Sequence, residues 1–322
     1  CRRPLSSHHK PMWGKKAPPP PPPSWFQYMF AKPADSKSGV VPAAVIDPRV
    51  EGWFMTDTFW PVIVSLTYLA IVLAAVARDR AAKKATGAGA PPLLGPDVMK
   101  PIAAVHNTVL FFLSLWMTIE CFTQASINFG WCSGKASPIH FWIGNQVEAP
   151  KPGKPTEFAT ESGRRLAFVM YVHFLSKVYE MGDTLIMILK GNMRQVSFLH
   201  VYHHALTFYP SWWIVFRYSP GGDAFLSCAL NSLVHVFMYG YYFETSLKFS
   251  IFFSHFKKYL TQFQIVQFCI YVYQASTIIL SDSFQPRISH WIQLSHSLLL
   301  LVMFTSFYVS SYTSKSKSAK TK

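Results

Sequence analysis

The sequence predicts an all-α polytopic membrane protein with seven transmembrane helices. Half of its 322 residues are hydrophobic and 14% are charged, against about 25% charged residues in a soluble domain. Mean hydropathy is positive, at +0.19. The apolar residues fall into seven runs, each near the roughly 20 residues that cross a ~30 Å hydrocarbon core. This composition, with an aromatic content of 16%, excludes a disordered protein, a coiled coil and a collagen-like chain.

The first run, Phe59 to Ala77, carries no charge. The second, Ile102 to Ile119, follows Pro101, and the third, Leu166 to Leu189, carries Lys177, Glu180 and Asp183. The fourth, Leu199 to Phe216, holds three histidines and Pro210. Asn231 and His235 interrupt the fifth, Ala224 to Phe243. The sixth, Tyr259 to Leu280, is rich in glutamine, and the seventh, Ile288 to Tyr312, is mostly Leu, Val, Ser and Phe. Residues 51–312 therefore form the membrane domain. Residues 1–50 read as a flexible proline-rich arm around Pro18–Pro23, and residues 313–322 as a basic tail. The chain opens on Cys1 rather than Met, as a processed or partial product does. Its five cysteines make no C-x-x-C pair, so neither a zinc knuckle nor a redox motif is supported.

The net charge of +15 raises two kinds of partner, nucleic acid and a membrane surface. Position decides between them. With the segment after the first span placed inside, that side collects 14 Lys and Arg near span ends, including Lys83, Lys190, Arg194, Lys257 and Lys320, while the other side collects 8. The positive-inside rule then predicts an outside N-terminus and a cytosolic C-terminus, with a lipid bilayer as partner and no nucleic acid.

Ionisable groups inside a spanning helix are costly, so each is a functional candidate. A helix turns about 100° per residue, which allows their faces to be compared. Lys177, Glu180, Asp183 and Thr184 share an arc of the third span, with Lys177 and Glu180 spaced to pair at i, i+3. An ion pair that merely joins two helices would look the same. His200, His203 and His204 share a face of the fourth, and three imidazoles in five residues are harder to assign to packing. Asn231, His235, Met238, Tyr239 and Tyr242 line one face of the fifth, and Thr261, Gln264, Gln267 and Phe268 one face of the sixth. Polar glue between helices explains these two stripes equally well. Together the four stripes imply a polar cavity of mixed sign, which disfavours an ion pore. A di-iron oxygenase would need several histidine boxes. Here His106, His173, His290, His296 and the other remaining histidines form no second box, and no metal site is expected.

K-x-x-E-x-x-D-T (Lys177–Thr184), H-x-x-H-H (His200–His204), N-S-x-x-H-x-x-M-Y-x-Y-Y (Asn231–Tyr242) and T-x-x-Q-x-x-Q-F (Thr261–Phe268), in this order, resemble the ELO family of very-long-chain fatty acid elongases. The resemblance runs from about residue 55 to 312 and leaves out the arm. It implies a 3-oxoacyl-CoA synthase of the endoplasmic reticulum membrane, with a lumenal N-terminus and six of its seven helices enclosing an acyl-chain tunnel. The substrates would be acyl-CoA and malonyl-CoA, with no cofactor, and the other enzymes of the elongation cycle would be partners. By the same resemblance His203 attacks the thioester, His235 assists by proton transfer or by stabilising the enolate oxygen, and His200 and His204 orient His203. Lys177, Glu180 and Asp183 would hold the catalytic face and contact polar parts of CoA. Asn231, Tyr239, Gln264 and Gln267 would line the polar part of the tunnel, and Arg194 would meet a CoA phosphate. His in place of Gln at position 200 leans toward saturated or monounsaturated chains. A seven-helix transporter and a metal-dependent membrane oxygenase are the rival readings.

The charge count predicts that a C-terminal tag is reached by antibody when only the plasma membrane is permeabilised. An N-terminal tag should need the internal membranes opened as well, and the reverse pattern would invert the topology.

Overall fold

The computed structural model describes residues 47, 49–130, 158–218, 222–247, 251–280 and 287–313. The arm up to residue 46, the tail from 314, Cys132, the lysines 135, 151, 154 and 248, and the tail lysines lie outside these residues. The described chain is helical: α1 (Phe59–Thr86), α2 (Pro96–Phe129), α3 (Glu161–Glu180), α4 (Gly182–Leu189), α5 (Phe198–Trp213), α6 (Phe225–Ser246), α7 (Leu260–Leu280) and α8 (Arg287–Tyr308). A 3-10 turn, Phe253–Tyr259, joins α6 to α7.

Local chemistry sets the ends. Ser197 caps α5 by accepting from the His200 backbone N–H at 3.2 Å, and Thr160 caps α3 from Gly163 at 3.0 Å. Pro96 opens α2, where its missing N–H costs nothing. Gly87 and Gly130 close α1 and α2 in left-handed conformations, φ 76° and 74°, that glycine adopts without strain. α1 continues past the apolar run to Thr86 and carries Arg78, Asp79, Arg80, Lys83 and Lys84 on its last turns. Its 28 residues give about 42 Å at 1.5 Å per residue, so those charged turns project beyond a ~30 Å core.

Two expected spans differ in detail. The third is interrupted at Met181, so α3 and α4 are separate helices and the four-residue arc does not act as one surface. The interruption lies beside Gly182, where an added Cβ would sit 2.9 Å from the His106 ring. The fourth ends its α-helix at Trp213 and widens into a π turn, Ile214–Tyr218. Pro210, one turn earlier, has no N–H to hold the Leu206 carbonyl. Among the described residues four helices, α1, α2, α7 and the stretch Ser289–Ser311, are long and apolar enough to cross a membrane. The expected third, fourth and fifth spans, which hold three of the four polar stripes, fall outside that set.

Neighbour relations place the helices. α2 packs along α6, α6 against α7, α7 along α8, α8 against α5, α5 against α3, and α3 back against α2. This closes a ring of six elements, while α1 lies outside it against α5 and α4. Phe174 of α3 stacks on Phe208 of α5 with centroids 4.9 Å apart, and Phe216 meets Phe174 edge-on at 5.6 Å. All three are fully buried, and each such pair adds about 0.5–1.5 kcal/mol beyond its area.

The end of α6 is fixed by a carboxylate. Glu244 accepts from the backbone N–H groups of Phe252, Phe253 and Ser254 and from the Ser254 hydroxyl, at 2.7–3.0 Å. That ties the 3-10 turn across α6 and lays the Phe253 ring over Gly240. A Cβ at Gly240 would stand 2.6 Å from Phe253 Cγ. Gly240→Ala should therefore destabilise the fold by about 1–3 kcal/mol, read as a lower unfolding temperature in detergent micelles. An unchanged unfolding temperature would show that the ring moves freely.

Candidate active site

The ring positions four groups of polar side chains. The most deeply buried is centred on α3. Lys177 Nζ donates to Glu180 Oε1 and Oε2 at 2.8 and 3.1 Å and to Asn231 Oδ1 of α6 at 2.6 Å. Its side chain is 4% exposed and that of Glu180 2%. Ser176 Oγ also donates to Glu180, at 3.0 Å. Asn231 Oδ1 receives a second donor, His173 Nε2, at 3.2 Å. Those two donors fix the amide, so Asn231 Nδ2 faces His235 Nε2, at 3.5 Å. His235 Nδ1 lies 3.4 Å from Glu180 Oε1, near enough for electrostatic attraction but off hydrogen-bond geometry. The predicted Lys177–Glu180 pair is thus present, and it reaches Asn231 and His235 together.

Asp183, beyond the interruption, belongs to a different group. His106 Nε2 of α2 donates to its Oδ1 at 2.9 Å, and the Tyr239 hydroxyl of α6 donates to its Oδ2 at 2.6 Å. Both carboxylate oxygens are held by protein groups. His106 also stacks on Tyr179, centroids 4.8 Å apart, and Tyr239 meets His235 edge-on at 5.5 Å. Tyr239 is fully buried.

The three imidazoles of α5 diverge. His200 Nε2 shares a 2.8 Å hydrogen bond with Thr184 of α4, whose hydroxyl meets Tyr68 of α1 at 2.9 Å. His204 is packed between His200, His203 and Tyr68, with centroid distances of 4.5, 5.4 and 6.5 Å. His203 Nδ1 shares a 3.3 Å hydrogen bond with Thr207 one turn on, and Thr207 meets His296 Nε2 of α8 at 3.4 Å. The Phe304 ring stands edge-on to His203 at 6.0 Å.

His203, Thr207, His296, His173, Asn231 and Gln267 all line one cavity inside the ring. Gln267 is buried, and its Oε1 has no hydrogen-bond partner among the described residues. It is a free acceptor facing the space where the imidazole stands. The cavity holds about 90 Å³, less than the roughly 150 Å³ that takes a benzene ring. A long acyl chain enters only if the lining side chains part. Gln264 is half-buried and does not line this cavity, and neither does Tyr239. Arg194 is exposed on the turn between α4 and α5, at the end of the ring that also carries Lys190.

His106, His173, His296, Thr207 and Tyr68 were not singled out by motif. His173 had a signal, because it lies four residues before Lys177 on the same helical face. His106 had the weaker one of any ionisable group within a span. His296, inside the seventh run, had the same weak signal, and Thr207 had none, since the two meet only through the packing of α5 on α8.

Removing Lys177 alone would leave the Glu180 carboxylate buried without its cation, at a cost of about 3–5 kcal/mol. Lys177→Met should therefore lower the unfolding temperature sharply, and the double substitution Lys177→Met, Glu180→Gln should recover much of the loss. Equal destabilisation by the single and double variants would mean that the charges are not coupled.

The model of the GNS1/SUR4 family, ELO, matches residues 53–320. The chain is 32% identical over 286 residues to very long chain fatty acid elongase 5 of Rattus norvegicus, covering 85% of this chain and 81% of that protein. The Homo sapiens protein of the same name is 31% identical with the same coverage. That of Tachysurus fulvidraco is 30% identical, covering 85% of this chain and 83% of its own length. A family match that takes in all four motifs and the whole helical ring makes this chain a member of the ELO (GNS1/SUR4) family.

Proposed function

We propose that the chain is a fatty acid elongase that condenses a long-chain acyl-CoA with malonyl-CoA to give a 3-oxoacyl-CoA, carbon dioxide and CoA. The observation that carries this reading is the setting of His203. Its Nδ1 is engaged by Thr207, which leaves Nε2 without a hydrogen-bond partner among the described residues, and the residue lines a cavity whose wall mixes polar groups such as Asn231, Gln267 and His296 with apolar ones such as Met170, Phe268 and Leu300. An imidazole held this way suits nucleophilic attack on a thioester. His203 takes the acyl group from CoA as an acyl-imidazole. Malonyl-CoA then loses carbon dioxide, and its enolate attacks the acyl carbon.

His235, on α6, supports the second step. Asn231 Nδ2 is its partner at Nε2, which places its proton on Nδ1, and Glu180 beside it stabilises positive charge on the ring. Such an imidazole can stabilise the enolate oxygen or return a proton. Lys177 and Asp183 act here as holders of Asn231 and Tyr239, since their hydrogen bonds are spent on protein partners. Gln267 Oε1, an acceptor in the cavity with no partner among the described residues, accepts from an amide N–H of the CoA arm next to the thioester. Arg194 and Lys190 meet CoA phosphates at the basic end. The setting proposed is the endoplasmic reticulum membrane, with a lumenal N-terminus, a cytosolic C-terminus and the other enzymes of the elongation cycle as partners.

Membranes carrying the chain, given labelled malonyl-CoA and a panel of acyl-CoAs, should place label in lipids two carbons longer than the acyl group supplied. His203→Ala should reduce that rate by about 10²-fold or more. Normal elongation by the variant would remove His203 from the chemistry, and no elongation by the parent on any acyl-CoA would remove the function.

A further inference from the structure

His203 is joined to α8 through one hydroxyl. Thr207 Oγ1 lies 3.3 Å from His203 Nδ1 and 3.4 Å from His296 Nε2, and all three residues line the same cavity. α8 also supplies Leu300 and Phe304, each four residues on from the last, so one face of this helix meets the imidazole. A hydroxyl can donate one hydrogen bond and accept others. It can therefore accept from one imidazole N–H while donating to the lone pair of another.

We propose that Thr207 and His296 form a proton relay that takes the proton of His203 when it is acylated and returns it when the acyl group leaves. This rests on the covalent reading above. In the resting site His203 Nδ1–H donates to Thr207 Oγ1, and the Thr207 hydroxyl donates to His296 Nε2. The lone pair is then on His203 Nε2, the nitrogen without a hydrogen-bond partner among the described residues. Nε2 attacks the thioester carbon, the C–N bond forms, the C–S bond breaks and CoA leaves as the thiolate. The Nδ1 proton passes to Thr207 as the Thr207 proton passes to His296. This leaves a neutral acyl-imidazole and a protonated His296. In the second step the enolate forms its C–C bond to the acyl carbon and the C–N bond breaks. The electron pair returns to His203 Nε2, and His296 returns its proton through Thr207 to Nδ1. The relay keeps the acyl carrier neutral, whereas an acyl-imidazolium would be attacked at its acyl carbon by the departing CoA thiolate, breaking the C–N bond and reversing the step. Thr207 and His296 are positioning residues, because they act through His203 and not on the substrate.

The test uses the full chain in proteoliposomes, with stearoyl-, oleoyl- and linolenoyl-CoA each supplied alone. CoA release is followed in the absence of malonyl-CoA, and elongation in its presence. Thr207→Val keeps the shape and removes the hydroxyl. It should cut CoA release by about 100-fold with KM for acyl-CoA little changed, while Thr207→Ser restores it to within a few-fold. His296→Gln, which cannot take up a proton, should give the same loss. The Thr207→Val, His296→Gln double variant should be no slower than either single one, because the two act as a unit. Unfolding temperatures of all four variants in micelles separate loss of the relay from loss of fold. Release at the parental rate by well-folded Thr207→Val, failure of Thr207→Ser to restore it, or multiplicative losses in the double variant would each overturn the relay alone. A parent that elongates but never releases CoA from acyl-CoA alone would overturn the covalent step and the relay with it. A parent that does not elongate would overturn the proposed function itself.

Discussion

A lysine and a glutamate face each other inside an apolar ring of helices, and most of the site is arranged around that fact. Neither charge of the Lys177–Glu180 pair reaches water, so each must be matched by its partner and by hydrogen bonds to its remaining atoms. Lys177 finds its further acceptor on α6, in Asn231, and Glu180 its further donor in Ser176. Asn231 in turn must place its amide group, and does so against His173 and His235. Satisfying two charges thus fixes the rotation of α3 relative to α6 and the orientation of the histidine that faces into the ring from α6. In a membrane interior an unmet polar group costs several kcal/mol, so the network is a stringent choice of one helix register over others.

The same demand explains why α3 and α6, which share the Lys177–Glu180–Asn231 network, fall outside the set of helices apolar enough to cross a membrane. α3 and α6 turn polar faces toward one another, α5 and the more apolar α2, α7 and α8 complete the ring, and α1 packs outside it. Rigidity at the two ends comes from other devices. At one, Phe174 stacked on Phe208 and met edge-on by Phe216 locks α3 to α5 and the turn after it. At the other, Glu244 ties the connecting turn to α6. Between them lies a small cavity in which His203 Nε2 and Gln267 Oε1 have no hydrogen-bond partner among the described residues.

Much of this was legible in the chain. Apolar run length marked α5 to α8 to within four residues, since the hydrocarbon core demands a minimum of continuous apolar sequence, whereas α1 and α2 run on past their apolar runs to Thr86 and Phe129. Polar residues inside those runs marked His200, His203, His204, Lys177, Glu180, Asn231, His235 and Gln267, because bilayer cost makes each conspicuous. The interruption at Met181 was not legible: it lies where Gly182 passes close to His106, a residue of another helix. Asp183 therefore read as part of the Lys177 surface but bonds to α2 and α6 instead. Gln264 shared a computed face with Gln267 yet misses the cavity, because a stripe of about 100° is wider than the space it borders.

The sequence by itself determined that the chain is helical and membrane-embedded, which of its residues are too polar to face lipid, and which motifs place it among the elongases. These are properties of composition and of single-helix periodicity, and they need no knowledge of neighbours. Only the tertiary structure decided the partners. That His203 is held by Thr207 and His296, that Asp183 anchors Tyr239 rather than Lys177, and that α1 lies outside the ring all follow from which helix packs on which. A hydrogen bond between helices is set by their relative rotation and depth, and those are fixed by the sum of all contacts rather than by any local run of residues.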